Sequence, residues 1–248
     1  MRLLQGEHVQ IANGTLEGLK WLALLLMTLD HVNKYVFAWG LPGAVEAGRL
    51  VMPIFGFVLA YNLARSNLGE LGIRRVATRL LTYGVLATPV YIGLNTALMH
   101  QLHPGTSEAI SWGPLNILFT LLLATVIVAL IEKRKQAWLV IAAVCFALAA
   151  PLVEYAWFGL AFVLASWFHC RQGSVLSTSL LFLAAVGLTA VNGNFYAVLA
   201  LPLLLLAPRL DLGVPRWRYM FYAYYPMHLA VIWFWLHGQK YVVEYLLA

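Results

Sequence analysis

An aspartate and a histidine, Asp30 and His31, stand side by side at the end of the first long apolar stretch, Trp21-Leu22-Ala23-Leu24-Leu25-Leu26-Met27-Thr28-Leu29. Ionisable groups at membrane depth are costly, so they are rare and usually functional. Toward the N-terminus the next charged residue is Lys20, eleven positions before His31. At about 100° per residue, that spacing is three helical turns plus roughly 20°, which puts Lys20 and His31 on one face. At about 1.5 Å per residue they stand roughly 16 Å apart, half the hydrocarbon thickness of a bilayer. A cation at one membrane surface and an imidazole deep in the protein therefore lie on one line. The first can hold an anion, and the second can exchange a proton near neutral pH.

Other polar residues converge on the same level. Arg49, in Gly48-Arg49-Leu50-Val51-Met52-Pro53-Ile54-Phe55, lies a few residues into the second apolar segment as the chain travels back, so Asp30 could reach it. Asp30 then either neutralises Arg49 or Lys34 in an apolar phase or serves the histidine, and both readings stand. His228 sits in Phe221-Tyr222-Ala223-Tyr224-Tyr225-Pro226-Met227-His228-Leu229. Pro226 removes a helical hydrogen bond there, which fits a helix bent around a ligand or a kink in an interfacial aromatic belt. Arg74, Arg75 and Arg79 fall at the mouth of the third segment, with Arg79 deepest, and Lys133, Arg134, Lys135, Arg216 and Arg218 belong to the same surface. Guanidinium groups in such a ring suit a coenzyme with several phosphates, although orientation in a membrane would produce much the same set.

The remaining polar candidates carry less. His100 and His103 have no ligand partner at metal spacing, Glu154 is expected at a solvated segment edge, and Cys145 and Cys170 read as packing residues. No nucleophile elbow, zinc-peptidase, phosphate-loop or dinucleotide fingerprint is present, which points an enzyme of this sequence toward direct transfer.

The elements that must position these groups are helices. The chain of 248 residues is 62% hydrophobic and 10% charged, too apolar for a surface that meets water. The expectation is an all-α, polytopic helical membrane protein of about nine transmembrane helices (eight to ten) with a cytoplasmic N-terminus. The spans are placed near 18–38, 45–64, 77–98, 112–131, 137–151, 154–168, 175–191, 195–207 and 219–237. The runs at 137–151, 154–168 and 195–207 are short for lone spans, so tilted, paired or re-entrant segments are expected. The first segment reads as a retained signal anchor. With the N-terminus inside, thirteen cations fall on the cytoplasmic side and three, Lys34, Arg49 and Lys240, on the other, a strong positive-inside pattern. No linker or repeat divides the chain, so residues 1–248 are expected to form one domain.

Lys20 to Asp30-His31, Gly48 to Phe55 and Tyr225 to Leu229, in this order and spacing, resemble the TraX family over nearly the whole chain. That family is similar in turn to the acyltransferase-3 membrane acyltransferases, in which a cation, ten intervening residues and a histidine occupy the first span; Lys20 and His31 match. The resemblance implies a multi-pass enzyme of the bacterial inner membrane. Its donor would be cytoplasmic acetyl-CoA, and its acceptor the N-terminal amine of processed conjugative pilin, with the bilayer as partner and no role for nucleic acid or a metal. It implies His31 as general base, Asp30 orienting it or steadying the incoming ammonium, and Arg49 or His228 stabilising the oxyanion. Lys20, Arg74, Arg75 and Arg79 would hold the coenzyme. A direct Asp30–His31 bond is not expected, because adjacent helical positions point about 100° apart. O-acetylation of a glycan or lipid, solute transport and a non-catalytic pilus scaffold remain alternatives.

Overall fold

The structure, a computed structural model, describes residues 8–65, 69–103, 110–217 and 220–247. It is all-helical, and among these residues the only β-type pairing is an isolated bridge between Leu115 and Val153. The helices are α1 (Asn13–Tyr35), α2 (Ala44–Gly48), α3 (Val51–Ala64), α4 (Gly69–Leu102), α5 (Ile117–Glu132), α6 (Gln136–Ala149), α7 (Ala156–Gln172), α8 (Val175–Gly187), α9 (Thr189–Asn192), α10 (Ala200–Leu206) and α11 (Met220–Leu247). Short 3-10 turns flank α10 and follow α6.

Each of the nine expected segments overlaps a helical stretch, with shifted bounds. The first helix begins at Asn13 rather than 18, and α4 runs well beyond 77–98 at both ends. Among the described residues, two stretches are long and apolar enough to cross a membrane, Ala44–Ala64 and Val175–Asn192.

Successive helical stretches reverse direction. Contacts at one end join Arg65 to Asn13, the Val9 N–H to the Cys170 carbonyl, Thr15 to the Leu210 carbonyl, and Arg171 to Glu132. At the opposite end Lys34 meets Asn95, Tyr91 meets Glu154, and Leu115 bridges Val153. Eleven of the cations assigned to the cytoplasmic side therefore gather at the first, basic end, while Lys34 and Arg49 lie toward the far end; Arg2 and Arg218 and the side chain of Lys240 fall outside the described residues.

Local chemistry sets several boundaries. The Asn116 side chain caps α5 by accepting from the Leu118 N–H, and Ser174 caps α8 by accepting from the Ser177 N–H. α7 stops at Gly173, which adopts φ 55 and donates its N–H to the His169 carbonyl. α11 continues as one helix through Pro226.

The core forms where α3 packs between α1 and α7, and where α4 packs on α5 and α11. Phe57, Phe162, Met52 and Ile54 are among its largest fully enclosed side chains. Large apolar side chains also point outward, notably Leu139, Val140, Ile141 and Leu148 on α6 and Leu180, Phe182 and Leu183 on α8.

Candidate active site

One cavity of about 830 Å³ runs along α1. Its lining on that helix is Asn13, Leu16, Glu17, Lys20, Met27, Asp30, His31 and Lys34, a stripe at three- and four-residue spacing that contains every acidic and basic residue of the helix. The polar face of α1 is therefore turned inward, the reverse of an amphipathic surface helix.

The helices around α1 divide this cavity into three levels. α4 runs parallel to α1, and the bond from Lys34 Nζ to Asn95 Oδ1 (2.9 Å) sets their register. α3 runs antiparallel, and its register is set by Gly48, whose missing side chain leaves room for the Asp30 carboxylate.

At the basic end Lys20, Arg65, Arg75, Arg79 and Arg216 line the cavity, opposed among the described residues by one carboxylate, that of Glu17. Glu17 accepts from Lys20 Nζ (2.6 Å) and has Arg216 Nε at 4.0 Å. Lys20 lies over the Phe221 ring at 4.5 Å, and Arg79 over the Tyr222 ring at 5.9 Å. Next comes an apolar collar of Met27, Met52, Phe55 and Leu118. Beyond it Asp30, His31, Lys34, Arg49, Tyr91, Asn95, Glu154 and Tyr155 face the far lobe.

His31 sits where the collar meets that lobe, and its ring is held from behind. Its Nδ1 lies 2.6 Å from His228 Nε2, with the two rings parallel and their centroids 4.9 Å apart. His228 Nδ1 in turn lies 2.9 Å from the Tyr224 carbonyl oxygen. A carbonyl can only accept, so His228 carries its proton on Nδ1 and offers a lone pair at Nε2. His31 must then donate through Nδ1, which leaves the lone pair of its own Nε2 as the free basic site. Tyr35 and Tyr225 flank the ring at 5.8 and 6.2 Å.

The sequence expectations meet this geometry unevenly. His31, Asp30, Arg49, Lys20, Arg75 and Arg79 all line one cavity. Asp30 and Arg49 share a level and interact electrostatically, yet no salt bridge within 4.0 Å joins them among the described residues. Asp30 and His31 make no hydrogen bond to each other, as expected, since His31 bonds His228 instead. His228, expected beside an oxyanion, is not on the cavity wall but stands behind His31 and bonds its ring. Arg74 is exposed and points away from the cavity, because one helical step turns it about 100° from Arg75. Lys133 packs over Trp138 in the α5–α6 turn, and neither it nor Arg134 or Lys135 reaches the mouth.

Glu154 is the clearest departure. Expected in solvent, it turns inward, accepts from the Tyr91 hydroxyl (2.9 Å) and lines the far lobe, while its backbone carbonyl accepts from Thr120 Oγ1 (2.6 Å). Among the described residues no group of three or more histidines, cysteines or carboxylates could hold a metal ion.

The family model described as TraX protein matches residues 15–235, a stretch that contains the α1 stripe from Leu16 onward, the Gly48–Arg49 turn and the Tyr224–His228 segment. The chain belongs to the TraX family. The TraX match thus covers both histidines of the pair and every cation at the basic mouth. Neither a curated protein nor a solved structure matches the chain.

Proposed function

We propose that this TraX-family protein is a multi-pass membrane acetyltransferase that moves an acetyl group from cytoplasmic acetyl-CoA to the N-terminal amine of a pilin subunit in the bacterial inner membrane. The observation that carries this reading is the position of His31. Its free Nε2 faces the middle of a cavity with a cationic mouth at one end and a mixed acidic and basic lobe at the other. Support for the membrane comes from the apolar side chains exposed on α6 and α8 and from the gathering of cations at one end. The described chain then acts as one unit around the cavity along α1.

Acetyl-CoA fits the cavity as a substrate. Its volume of about 830 Å³ lies within the usual range of small-molecule sites. Lys20, Arg65, Arg75, Arg79 and Arg216 would hold the phosphates, and the apolar collar would take the uncharged arm that carries the thioester toward His31.

The chemistry needs a neutral amine. A free α-amino group has a reference pKa of about 7.7–8.0, so part of it is already neutral near pH 7. Its nitrogen attacks the thioester carbonyl carbon, the new C–N bond forms, and the C–S bond breaks. His31 Nε2 takes the proton released from nitrogen and returns it to the leaving thiolate, so protons balance without a bound nucleophile. His228 and the Tyr224 carbonyl hold His31 in the tautomer that can do this. Arg49, whose Nε is buried without a hydrogen-bond partner, is placed to stabilise the oxyanion that forms in between.

Intact mass spectrometry of pilin co-expressed with the protein tests the reading. A gain of one acetyl group at the N-terminal residue is expected, with a loss of about 10²–10⁴ in rate for His31→Ala. An unchanged pilin mass with wild-type protein would refute the acceptor, and a His31→Ala rate within a few-fold of wild type would refute the base.

A further inference from the structure

Glu154 is held where an acceptor could meet His31. On α4, Tyr91 lies one turn before Asn95, and on α1, His31 lies one turn before Lys34. The two helices are parallel and joined by the Lys34–Asn95 bond, so stepping back one turn on each brings Tyr91 and His31 to the same level. Tyr91 donates to Glu154 Oε1, which fixes the carboxylate across the cavity from the imidazole. A carboxylate has about four lone-pair positions, so one phenol does not exhaust it.

The surroundings point to a ligand. Asp30 faces the same lobe from α1, so among the described residues this lobe holds two of the three carboxylates that line the cavity, while the third, Glu17, is engaged at the basic mouth. Lys34 spends one donor on Asn95, and no salt bridge within 4.0 Å joins it to Glu154 among the described residues. Asn192, at the far end after α8, lines the cavity too. It is 8% exposed, and neither its amide nitrogen nor its amide oxygen has a hydrogen-bond partner. Leaving such groups unpaired is costly, and a bound peptide group, with its own adjacent donor and acceptor, would satisfy both.

We propose that Glu154, assisted by Asp30, binds the acceptor's primary ammonium beside His31, and that Asn192 pairs with the acceptor's first peptide group. This rests on the acetyltransferase reading and assigns its acceptor subsite. Glu154 accepts hydrogen bonds from the ammonium until one proton is lost to solvent; the neutral amine nitrogen then attacks, His31 Nε2 takes the second proton and returns it to the leaving thiolate, and Glu154 itself undergoes no net protonation.

The test is steady-state kinetics of the full chain in lipid vesicles, with acetyl-CoA and a short peptide bearing a free N-terminus, for wild type, Glu154→Gln and Glu154→Asp. Glu154→Gln keeps an oxygen for the Tyr91 hydroxyl but loses the charge. The expected result is a tenfold or greater rise in KM for the peptide, an unchanged KM for acetyl-CoA, and partial recovery in Glu154→Asp. Asn192→Ala should raise the peptide KM several-fold and leave KM unaltered for a simple primary amine. If wild type acetylates the peptide and Glu154→Gln matches it, the subsite is refuted while the enzyme stands. Equal impairment of both substrates, with no recovery in Glu154→Asp, would make Glu154 structural and refute it as well. If wild type acetylates no amine at all, the acetyltransferase reading itself falls.

Discussion

His31 shows how a single proton assignment follows from heavy-atom positions. The Tyr224 carbonyl decides the tautomer of His228, and His228 decides that of His31. On the proposed acetyltransferase reading His228 is a positioning residue, and its loss should lower kcat rather than weaken acetyl-CoA binding. His228→Ala frees the His31 ring to turn, and about a 10²-fold drop in kcat is expected, the scale of an approximately 1 Å misplacement. His228→Gln offers an amide oxygen to the same Nδ1–H and should retain more activity. Rates for both, with KM for acetyl-CoA measured alongside, separate positioning from binding.

The sequence disclosed Asp30 and His31 because charge inside an apolar run has no cheap explanation. It could not disclose their partners. The His31–His228 bond joins positions 197 apart, and nothing in either local segment encodes it. Glu154 was illegible for a different reason. Ala150-Pro151-Leu152-Val153 reads as an exposed connection, and only the bridge from Val153 to Leu115, with the Glu154 N–H donating to the Leu115 carbonyl, folds that connection inward.

Among the elements, the turn between α2 and α3 does the closest fitting. A Cβ on Gly48 would collide with the Asp30 carboxylate, so the glycine that precedes Arg49 is required by its neighbour on α1 rather than by its own backbone. Gly48→Ala should displace Asp30 and cost about 1–3 kcal/mol, the usual range for overpacking. Thermal unfolding in detergent together with acetyl transfer would register both effects. Gly14 plays the matching part at the other end of α1, where the Leu212 carbonyl sits in the space a side chain would need. Thr15 next to it donates to the Leu210 carbonyl and accepts from the Leu212 N–H, which ties the segment carrying Arg216 across the mouth. Helix existence was legible from the apolar runs, since all nine expected segments overlap helical stretches. Helix facing was less so: Arg74 and Arg75 are equivalent as sequence, and only the packing of α4 on α11 decides which one looks into the cavity.

For the whole molecule, charge is distributed by end. Five cations and one carboxylate line the basic mouth, so a polyanion is drawn to that end and not to the other. Arg75→Gln or Arg79→Gln should raise KM for acetyl-CoA by about tenfold or more, as loss of a charge-assisted hydrogen bond of about 1.5–3 kcal/mol implies. Arg74→Gln should leave it unchanged. Titration of acetyl-CoA against each variant at fixed peptide concentration checks this, and an equal response from Arg74 and Arg75 would refute the mouth as drawn. α6, α8 and α10 contribute no side chain to the cavity, and their exposed leucines and valines serve the surroundings instead.

The collar of Met27, Met52, Phe55 and Leu118 has a consequence beyond guiding a substrate. A polar passage joining both faces of an energised membrane would be an electrical short circuit, because each elementary charge that crosses dissipates about 2.3 kcal/mol per 100 mV. Thioether, phenyl and isobutyl groups offer water no hydrogen bonds, the property by which hydrophobic constrictions in channels gate by dewetting. If the chain spans a membrane as proposed, the same four side chains, lying between the two charged zones, would disfavour a proton leak through the cavity while an acetyl group passes.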